Sequence, residues 1–296
     1  MDRKEAFKLR FGNLDALSTD SSSAVIDSML TRYTDRSFTS EPIQPGVLEL
    51  CLSAAQCSPS SGWLETRSIL KITSIADKEK IVKSAENTIF KNDHHNGIAI
   101  KTAPVTLLWL ADLSRLETII EKYQVDRNID SQIKGELETA EYHLKAIIDT
   151  TIAAQTFAIC AESLGLGVMY CGALRQLPYS FWQEEFNLPK HVLPIFGMVV
   201  GNPTTNKNDT ISRVRIKPRL GTTITVHENR YMPINKDVIE EYNSFHREFR
   251  SKKRYAAESE AAGTGDYINT ITERIKPAPS KECVSDNLKQ AGFTFK

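Results

Sequence analysis

Residues 157–175 read Phe157-Ala158-Ile159-Cys160-Ala161-Glu162-Ser163-Leu164-Gly165-Leu166-Gly167-Val168-Met169-Tyr170-Cys171-Gly172-Ala173-Leu174-Arg175, and this stretch decides the fold class. It ends a longer helical pattern from Asp130 to Leu164, acidic at first (Glu136, Glu138, Glu141) and then apolar (Leu144, Ile147, Ile148, Ile152, Phe157, Ile159, Leu164). Between Ile152 and Ala161 nearly every side is apolar or small, which predicts a helix buried on several faces, in a core or at a subunit interface. Gly165 supplies the stop, because a residue without Cβ enters the left-handed conformation that ends helices. Residues 168–171 then read as a short strand that breaks at Gly172-Ala173 and closes on the cation Arg175.

Working outward, a helix is expected to begin near Ala24, and Pro45-Gly46 opens a second that runs to about Gln56. That helix stops at Ser58-Pro59-Ser60-Ser61-Gly62, a small, polar, turn-forming cluster. Residues 68–73, 104–111 and 195–200 read as further strands, with 224–226 a candidate for another; the run at 104–111 is continuously apolar, as buried strands are. Helix and strand alternate, and no repeat is visible. Residues 1–23 read as a flexible lead-in without chemistry, 24–250 as the main domain, and 251–296 as a polar, irregular extension wrapping the core or a partner subunit. In that extension 256–265 reads as a flexible loop and Pro277-Ala278-Pro279 as an extended spacer.

Composition narrows the function classes. The 296 residues carry 37 Lys+Arg against 37 Asp+Glu, with 41% hydrophobic and 25% charged, which is a globular balance and not a polyelectrolyte. Met1-Asp2-Arg3-Lys4-Glu5 is charged where a secretory leader has its apolar core, so a cytoplasmic location is expected. The apolar runs at 103–111 and 192–200 fall short of the ~18–20 residues that cross a bilayer, so no membrane span is expected. Five cysteines without C-x-x-C spacing read as reduced thiols. His94-His95 stands without an acid or sulfur ligand at metal-binding spacing, so no metal is expected.

Four separated segments pair cations with small or hydroxyl residues, the chemistry that holds a phosphate ester and a planar ring. Arg32-Tyr33-Thr34-Asp35-Arg36 offers two arginines that can converge on one phosphate, or alternatively a solvated helix end. Ser58-Pro59-Ser60-Ser61-Gly62 lets backbone amides approach a ligand closely. Tyr170-Cys171-Gly172-Ala173-Leu174-Arg175 breaks a strand at small residues before a cation, and Lys217-Pro218-Arg219-Leu220 fixes two cations in an extended segment before His227-Glu228-Asn229. Each alone is compatible with ordinary surface or turn chemistry.

Their order and wording resemble the nitroreductase superfamily, most closely its oxygen-insensitive nitroreductase and NADPH-flavin oxidoreductase subgroup. The resemblance spans roughly residues 25 to 250. Phe38-Thr39-Ser40-Glu41-Pro42-Ile43, Trp109-Leu110-Ala111-Asp112, Glu162-Ser163-Leu164-Gly165-Leu166-Gly167, Leu188-Pro189-Lys190-His191-Val192-Leu193-Pro194 and Lys217-Pro218-Arg219-Leu220 all stand in the family's order. It implies an α+β fold, a mixed sheet flanked by helices, in an intertwined homodimer with FMN bound noncovalently. Carried over by position, Arg32, Tyr33, Thr34 and Arg36 match the phosphate segment and Ser60 the flavin-contacting serine loop. Asn96 or Gly97 stands for a ring-contacting Gln; Tyr170, Cys171, Gly172, Ala173 and Arg175 match the segment along the ring. Lys217 and Arg219 match the flavin-contacting cations, Lys217 as candidate charge stabiliser.

Departures from the subgroup are Arg32 for a frequent His, Cys171 and Ala173 for Ile and Gly, Gly221 for Pro, and Glu65 for Gln. Glu65 stands two residues before Arg67, with which it could pair.

The resemblance implies an FMN-dependent NAD(P)H oxidoreductase. Hydride transfer would run in ping-pong order through FMN N5 to a nitroaromatic, quinone or flavin acceptor, with NADPH or NADH as donor, and no side-chain nucleophile is needed. Arg247, Arg250, Lys252, Lys253 and Arg254 are candidates for the NADPH 2′-phosphate or simply a solvated helix end. Five charges on a neutral chain make no nucleic-acid footprint. Trp63, Tyr123 and residues 205–212 are candidates for the substrate pocket. The alternatives are a flavin-binding storage or sensor protein without steady turnover, and a flavin-dependent reductive dehalogenase or desaturase on the same fold.

Overall fold

The run expected as a buried strand at 104–111 is the central strand of a four-stranded sheet. The computed structural model describes residues 2–13, 21, 23–86, 90, 94–130, 132–204, 216–251, 266–275 and 279–294. The strands are β1 (Arg67–Ile72), β2 (Val105–Asp112), β3 (Gly167–Cys171) and β4 (Val192–Gly201), in the order β1-β2-β4-β3. Helices flank this sheet, as the α+β class requires. Every pair is antiparallel, so the mixed sheet that the resemblance implies is corrected for the described residues: each strand lies beside one running the opposite way.

All eight positions of β2 are buried, because the sheet is covered on both faces. Successive side chains of a strand point to opposite sides, and β2 divides accordingly. Leu108 and Leu110 join Met169 and Val199 in a core with Ile81, Val82, Ala99, Ile100 and Trp182, from the helices α4 (Ile75–Glu86), α5 (His94–Thr102) and α9 (Tyr179–Phe186). Leu107 and Trp109 join Val168, Met198 and Val200 in a second core with α3 (Val47–Gln56) and α8 (Ala140–Ser163). Between β2 and α8 run α6 (Ser114–Tyr123) and α7 (Ile133–Glu136).

α8 has 24 residues with mean hydropathy 1.3 over its apolar window, enough by length and composition to cross a membrane. Here Ala153, Ala154, Ala158 and Ala161 press it close against the sheet around Phe157, as expected of a multiply buried helix. Leu144, Ile148 and Ile152, at helical spacing, are left exposed.

Several expectations are corrected. Residues 3–11, read as loose, form α1 (Arg3–Phe11): Asp2 caps it, accepting the Glu5 amide at 2.7 Å, and Lys8 and Arg10 suit the negative end of the helix dipole. α2 (Ala24–Thr31) follows, at the expected start. The strand candidate at 224–226 is instead the single turn α10 (Thr222–Thr225), closed by the Ile224 and Thr225 amides on the Gly221 carbonyl; the β-branched residues suggested a strand, but among the described residues no strand pairs with them. The end of the chain carries α11 (Lys236–Ser251), α12 (Tyr267–Ile275) and α13 (Pro279–Gln290). The signals missed are tertiary caps, such as Asn243 Oδ1 accepting the Tyr267 amide at 2.8 Å. The loop read at 256–265 lies outside the described residues, as do 277 and 278 of the spacer, and Pro279 opens α13.

The chain divides into two compact units, one of Met1–Tyr33 with Thr205–Pro277 and one of Thr34–Thr204 with Ala278–Lys296. The last residues therefore belong with the sheet. Ala291 and Phe293 pack with Ala111, Leu113, Ala146, Tyr179 and Leu193. The Phe293 ring stacks on His143 at 4.5 Å, and the His191 amide donates to the Ala291 carbonyl at 2.9 Å. Gly292 lies at φ +84, and a Cβ there would stand 2.4 Å from His191 Cδ2, so the position admits only glycine.

His143 is fully buried. Burial holds its imidazole pKa below the ordinary value, repulsion from His191 adds to this, and Glu138 and the Leu137 carbonyl pull the other way. The unfolded chain therefore binds a proton that the folded chain refuses, and stability falls as pH drops below the ordinary histidine range of about 6.5. We expect the unfolding temperature of the His143→Phe variant to fall less between about pH 7.5 and about pH 5.5 than that of the parent. Thermal melts at the two pH values check this, and parallel slopes would exclude His143 as the source.

Candidate functional site

The serine cluster after α3 is bound to one buried carboxylate on the core helix. Asp149, 1% exposed, accepts from Ser60 Oγ at 2.8 Å, from the Ser61 amide at 3.0 and 3.1 Å, from Ser61 Oγ at 2.8 Å and from Thr66 Oγ1 at 3.1 Å. Two turns further along α8, Thr156 Oγ1 accepts from Ser58 Oγ at 3.0 Å. The Ser60 hydroxyl, expected to face a flavin, spends its proton on Asp149 and accepts the Glu65 amide at 2.8 Å, which leaves it one acceptor lone pair.

Held at both ends, the loop tip takes a costly backbone path. Gly62, Trp63 and Glu65 lie at φ 59, 58 and 54, the left-handed region that non-glycine residues avoid, and Trp63 is 87% exposed there. Glu65 and Arg67 do pair, at 2.8 Å, and the buried Arg67 guanidinium also donates to the Gln56 carbonyl at 2.9 Å.

The segment at 170–175 belongs to the same unit. Tyr170 donates through its hydroxyl to Gln155 Oε1 at 3.0 Å, and its ring lies 5.2 Å from that of Phe196. Cys171 carries a buried, reduced thiol opposite Gly197 in the β3–β4 register. Gly172 opens a 3-10 turn, Gly172–Gln176, in which only backbone and small side chains precede the buried Leu174. A Cβ on Gly172 would meet Arg175 Nη1 at 2.8 Å, so the exposed Arg175 folds back over the glycine.

Thr34 is half-buried and Arg36 exposed, flanking the buried Asp35, whose amide donates to the Val168 carbonyl at 3.2 Å. On α5, Asn96 is half-buried and Gly97 is buried, where a Cβ would stand 3.2 Å from Val82 Cγ1.

In the other unit, two cationic segments far apart in sequence are stitched together by Arg10. Its Nε donates to the Leu30 carbonyl at 2.7 Å and its Nη2 to the Arg32 carbonyl, while its own carbonyl accepts the Arg219 amide at 2.7 Å. Arg219 reaches solvent, yet crowding by its neighbours lowers its pKa from the ordinary arginine value; Tyr242 opposes the shift and repulsion from Arg32 adds to it. The Arg219 guanidinium itself donates to the Pro218 carbonyl at 3.0 Å and the Lys217 carbonyl at 3.5 Å. Tyr33 is buried and Lys217 exposed. Of the basic run, Arg247 lies 3.5 Å from Asp266 and Arg250 stands in the last turn of α11, while 252–254 lie outside the described residues, as do 205–212.

Sequence reasoning missed Asp149 and Arg10. A lone acid within an apolar helical stretch signals the first; nothing local distinguishes Arg10 from the other cations of α1.

The sequence profile of the nitroreductase family matches residues 29–202, and that of the nitroreductase family C-terminal domain matches 217–296. The chain is 31% identical to the oxygen-insensitive NADPH nitroreductase of Salmonella typhimurium, covering 75% of this chain and 80% of that one. It is 26% identical to the FMN reductase (NADPH) of Bacillus subtilis over 90% of this chain and 97% of that one. Among solved structures, nitroreductase A from Vibrio parahaemolyticus superposes with a TM-score of 0.72 at 26% identity, covering 92% of this chain and 98% of that chain.

Removing the Asp149 carboxylate leaves Ser60 Oγ, the Ser61 amide and hydroxyl, and Thr66 Oγ1 without their acceptor. We expect Asp149→Ala to cost about 3–5 kcal/mol. Asp149→Asn, which keeps the shape, should open the loop selectively, seen as faster amide exchange at Ser61 and Glu65 than in the sheet. Uniform exchange changes would show that Asp149 does not anchor the loop in particular.

Proposed function

The chain belongs to the nitroreductase family, and from that premise we infer that it is an FMN-dependent NAD(P)H oxidoreductase that passes electrons to a small-molecule acceptor. The observation that carries the reading is the cationic pair Arg32 and Arg219, whose backbones are joined through Arg10 and whose guanidinium groups are of the kind that binds a phosphate monoester. The other unit, taken by itself, offers chemistry that suits a planar ring. The backbone at 171–173 has no bulky side chain, Gly172 cannot take a Cβ without displacing Arg175, and Tyr170 and Cys171 pack on opposite faces of the sheet. Bound FMN would supply the hydride and electron transfer between a reduced nicotinamide and the acceptor.

The residues we assign to holding it are Arg32, Thr34, Arg36 and Arg219 for the phosphate, and Asn96, Tyr170, Cys171, Gly172, Ala173 and Arg175 along the ring. Lys217 is assigned as the charge that favours the reduced, anionic ring. Ser60 is assigned as the flavin-contacting serine of its loop, through the acceptor site that its bonds to Asp149 and the Glu65 amide leave open. We favour NADPH as donor, after the names of the relatives, and a nitroaromatic, quinone or free flavin as acceptor. The exposed stripe Leu144, Ile148 and Ile152 on α8 supports a homodimer with this helix at its interface. Reduced thiols at the described cysteines suit a reducing compartment such as the cytoplasm.

We expect the purified protein to take up FMN, to bleach with NADPH under nitrogen, and to regain its yellow spectrum on addition of a quinone or nitroaromatic. A protein that refuses FMN overturns the reading, and one that binds FMN without bleaching is a flavin carrier. Lys217→Ala should weaken FMN retention or lower the flavin potential; unchanged affinity, potential and turnover would remove Lys217 from the site.

A further inference from the structure

The segment at 171–175 has a structural problem. Backbone and small side chains are what a planar ring needs beside it, but they leave the turn Gly172–Gln176 little of its own with which to hold a fixed shape. Its closing contact, from the Leu177 amide to the Leu174 carbonyl, is long at 3.3 Å. Leu174 plugs the turn into the core from one side. The other side is held by a residue more than a hundred positions away.

Asn287 on α13 is 6% exposed and makes three hydrogen bonds. Its Nδ2 donates to the Arg175 carbonyl at 3.0 Å and to the Leu177 carbonyl at 2.8 Å, and its Oδ1 accepts the Tyr179 amide at 2.9 Å. The partners dictate the orientation of the amide, since a flipped group would point N–H at N–H. Pro178, at the cap of α9, supplies no side-chain cap, so the Tyr179 amide would be an orphan of the helix start without Asn287. One side chain therefore brackets the end of the turn and the start of the next helix. Because Arg175 folds its guanidinium back over Gly172, pinning the Arg175 backbone also fixes the base of that cation.

We infer that Asn287 is a positioning residue through which the C-terminal helix sets the shape of the flavin-side turn at 171–175. This rests on the reading that the turn lines the FMN ring. Coupling of this kind is reciprocal: if docking of α13 favours FMN, FMN favours docking of α13.

The test uses the full-length chain, titrated with FMN, as wild type, Asn287→Ala, Asn287→Asp and Phe293→Ala. The last loosens the same C-terminal segment at the His143 stack, away from the turn. Both Asn287 variants should bind FMN about tenfold more weakly and change the visible circular dichroism of the bound flavin, whereas Phe293→Ala should lower the unfolding temperature yet hold FMN affinity within about twofold. Asn287 variants with wild-type affinity and dichroism overturn the inference, and so does a loss of affinity that merely tracks stability across all three variants. Should the Asn287 variants fail to fold, amide exchange of the wild type decides: FMN should slow exchange at Tyr179 and in 283–290, and unchanged exchange overturns it. A wild type that takes up no FMN defeats the parent reading, and this one with it; a wild type that binds FMN while the variants match it defeats this one alone.

Discussion

The structure depends on one carboxylate placed inside an apolar helix. Asp149 is buried on α8, where an ion without partners is not tolerated. Its two oxygens are satisfied by Ser60, Ser61 and Thr66, all from one short loop. Burial of the charge and fixation of the loop are therefore the same event. The helix must pack closely on the sheet to bring Asp149 within reach, and the alanines at 153, 154, 158 and 161 allow that approach. Anchored in this way, the loop is stiff enough to keep three residues at positive φ, one of them an exposed tryptophan.

The same arrangement recurs elsewhere: a polar side chain outside the motif holds the backbone of the motif. Arg10 binds the carbonyls of Leu30 and Arg32 and meets the Arg219 amide through its own carbonyl. Asn287 does this for the turn after β3. In each case the motif residues are exposed, small or charged and cannot lock themselves, so the rigidity comes from a buried amide, guanidinium group or carboxylate outside the motif.

That separation explains what was legible in the sequence. The strands at β1, β2, β3 and β4 and the helices α3 and α8 announced themselves, because continuous apolar runs and helical periodicity are local signals, although α8 starts at Ala140 and the acidic part read with it from Asp130 holds only the short α7. The family was legible in the wording and order of the motifs. Arg10, Asp149 and Asn287 were not, since each acts on hydroxyl or backbone groups tens to more than a hundred positions away and nothing nearby in sequence marks the partner. The helices α1, α12 and α13 were missed for a related reason: their patterns are polar and short, and caps and tertiary docking stabilise them more than propensity does. The turn at α10 misled in the opposite direction, its Thr-Thr-Ile-Thr run having strand propensity but no described strand beside it to pair with.

The acid at position 65 shows how such a partner alters the meaning of a substitution. A glutamate where relatives are expected to carry an amide would ordinarily bring a full negative charge. Here the Arg67 guanidinium, 1% exposed at its side chain, lies 2.8 Å from that carboxylate, so the charge is matched where it stands. The converse dependence is stronger. Among the described residues Arg67 has only Glu65 and the Gln56 carbonyl as side-chain partners, and its Nε and Nη1 have none. Removing the glutamate would therefore strand a buried cation, which costs far more than losing an exposed ion pair. Glu65 and Arg67 are best understood as one unit: the acid neutralises the arginine, and the arginine keeps the acid from acting as a free charge beside the loop.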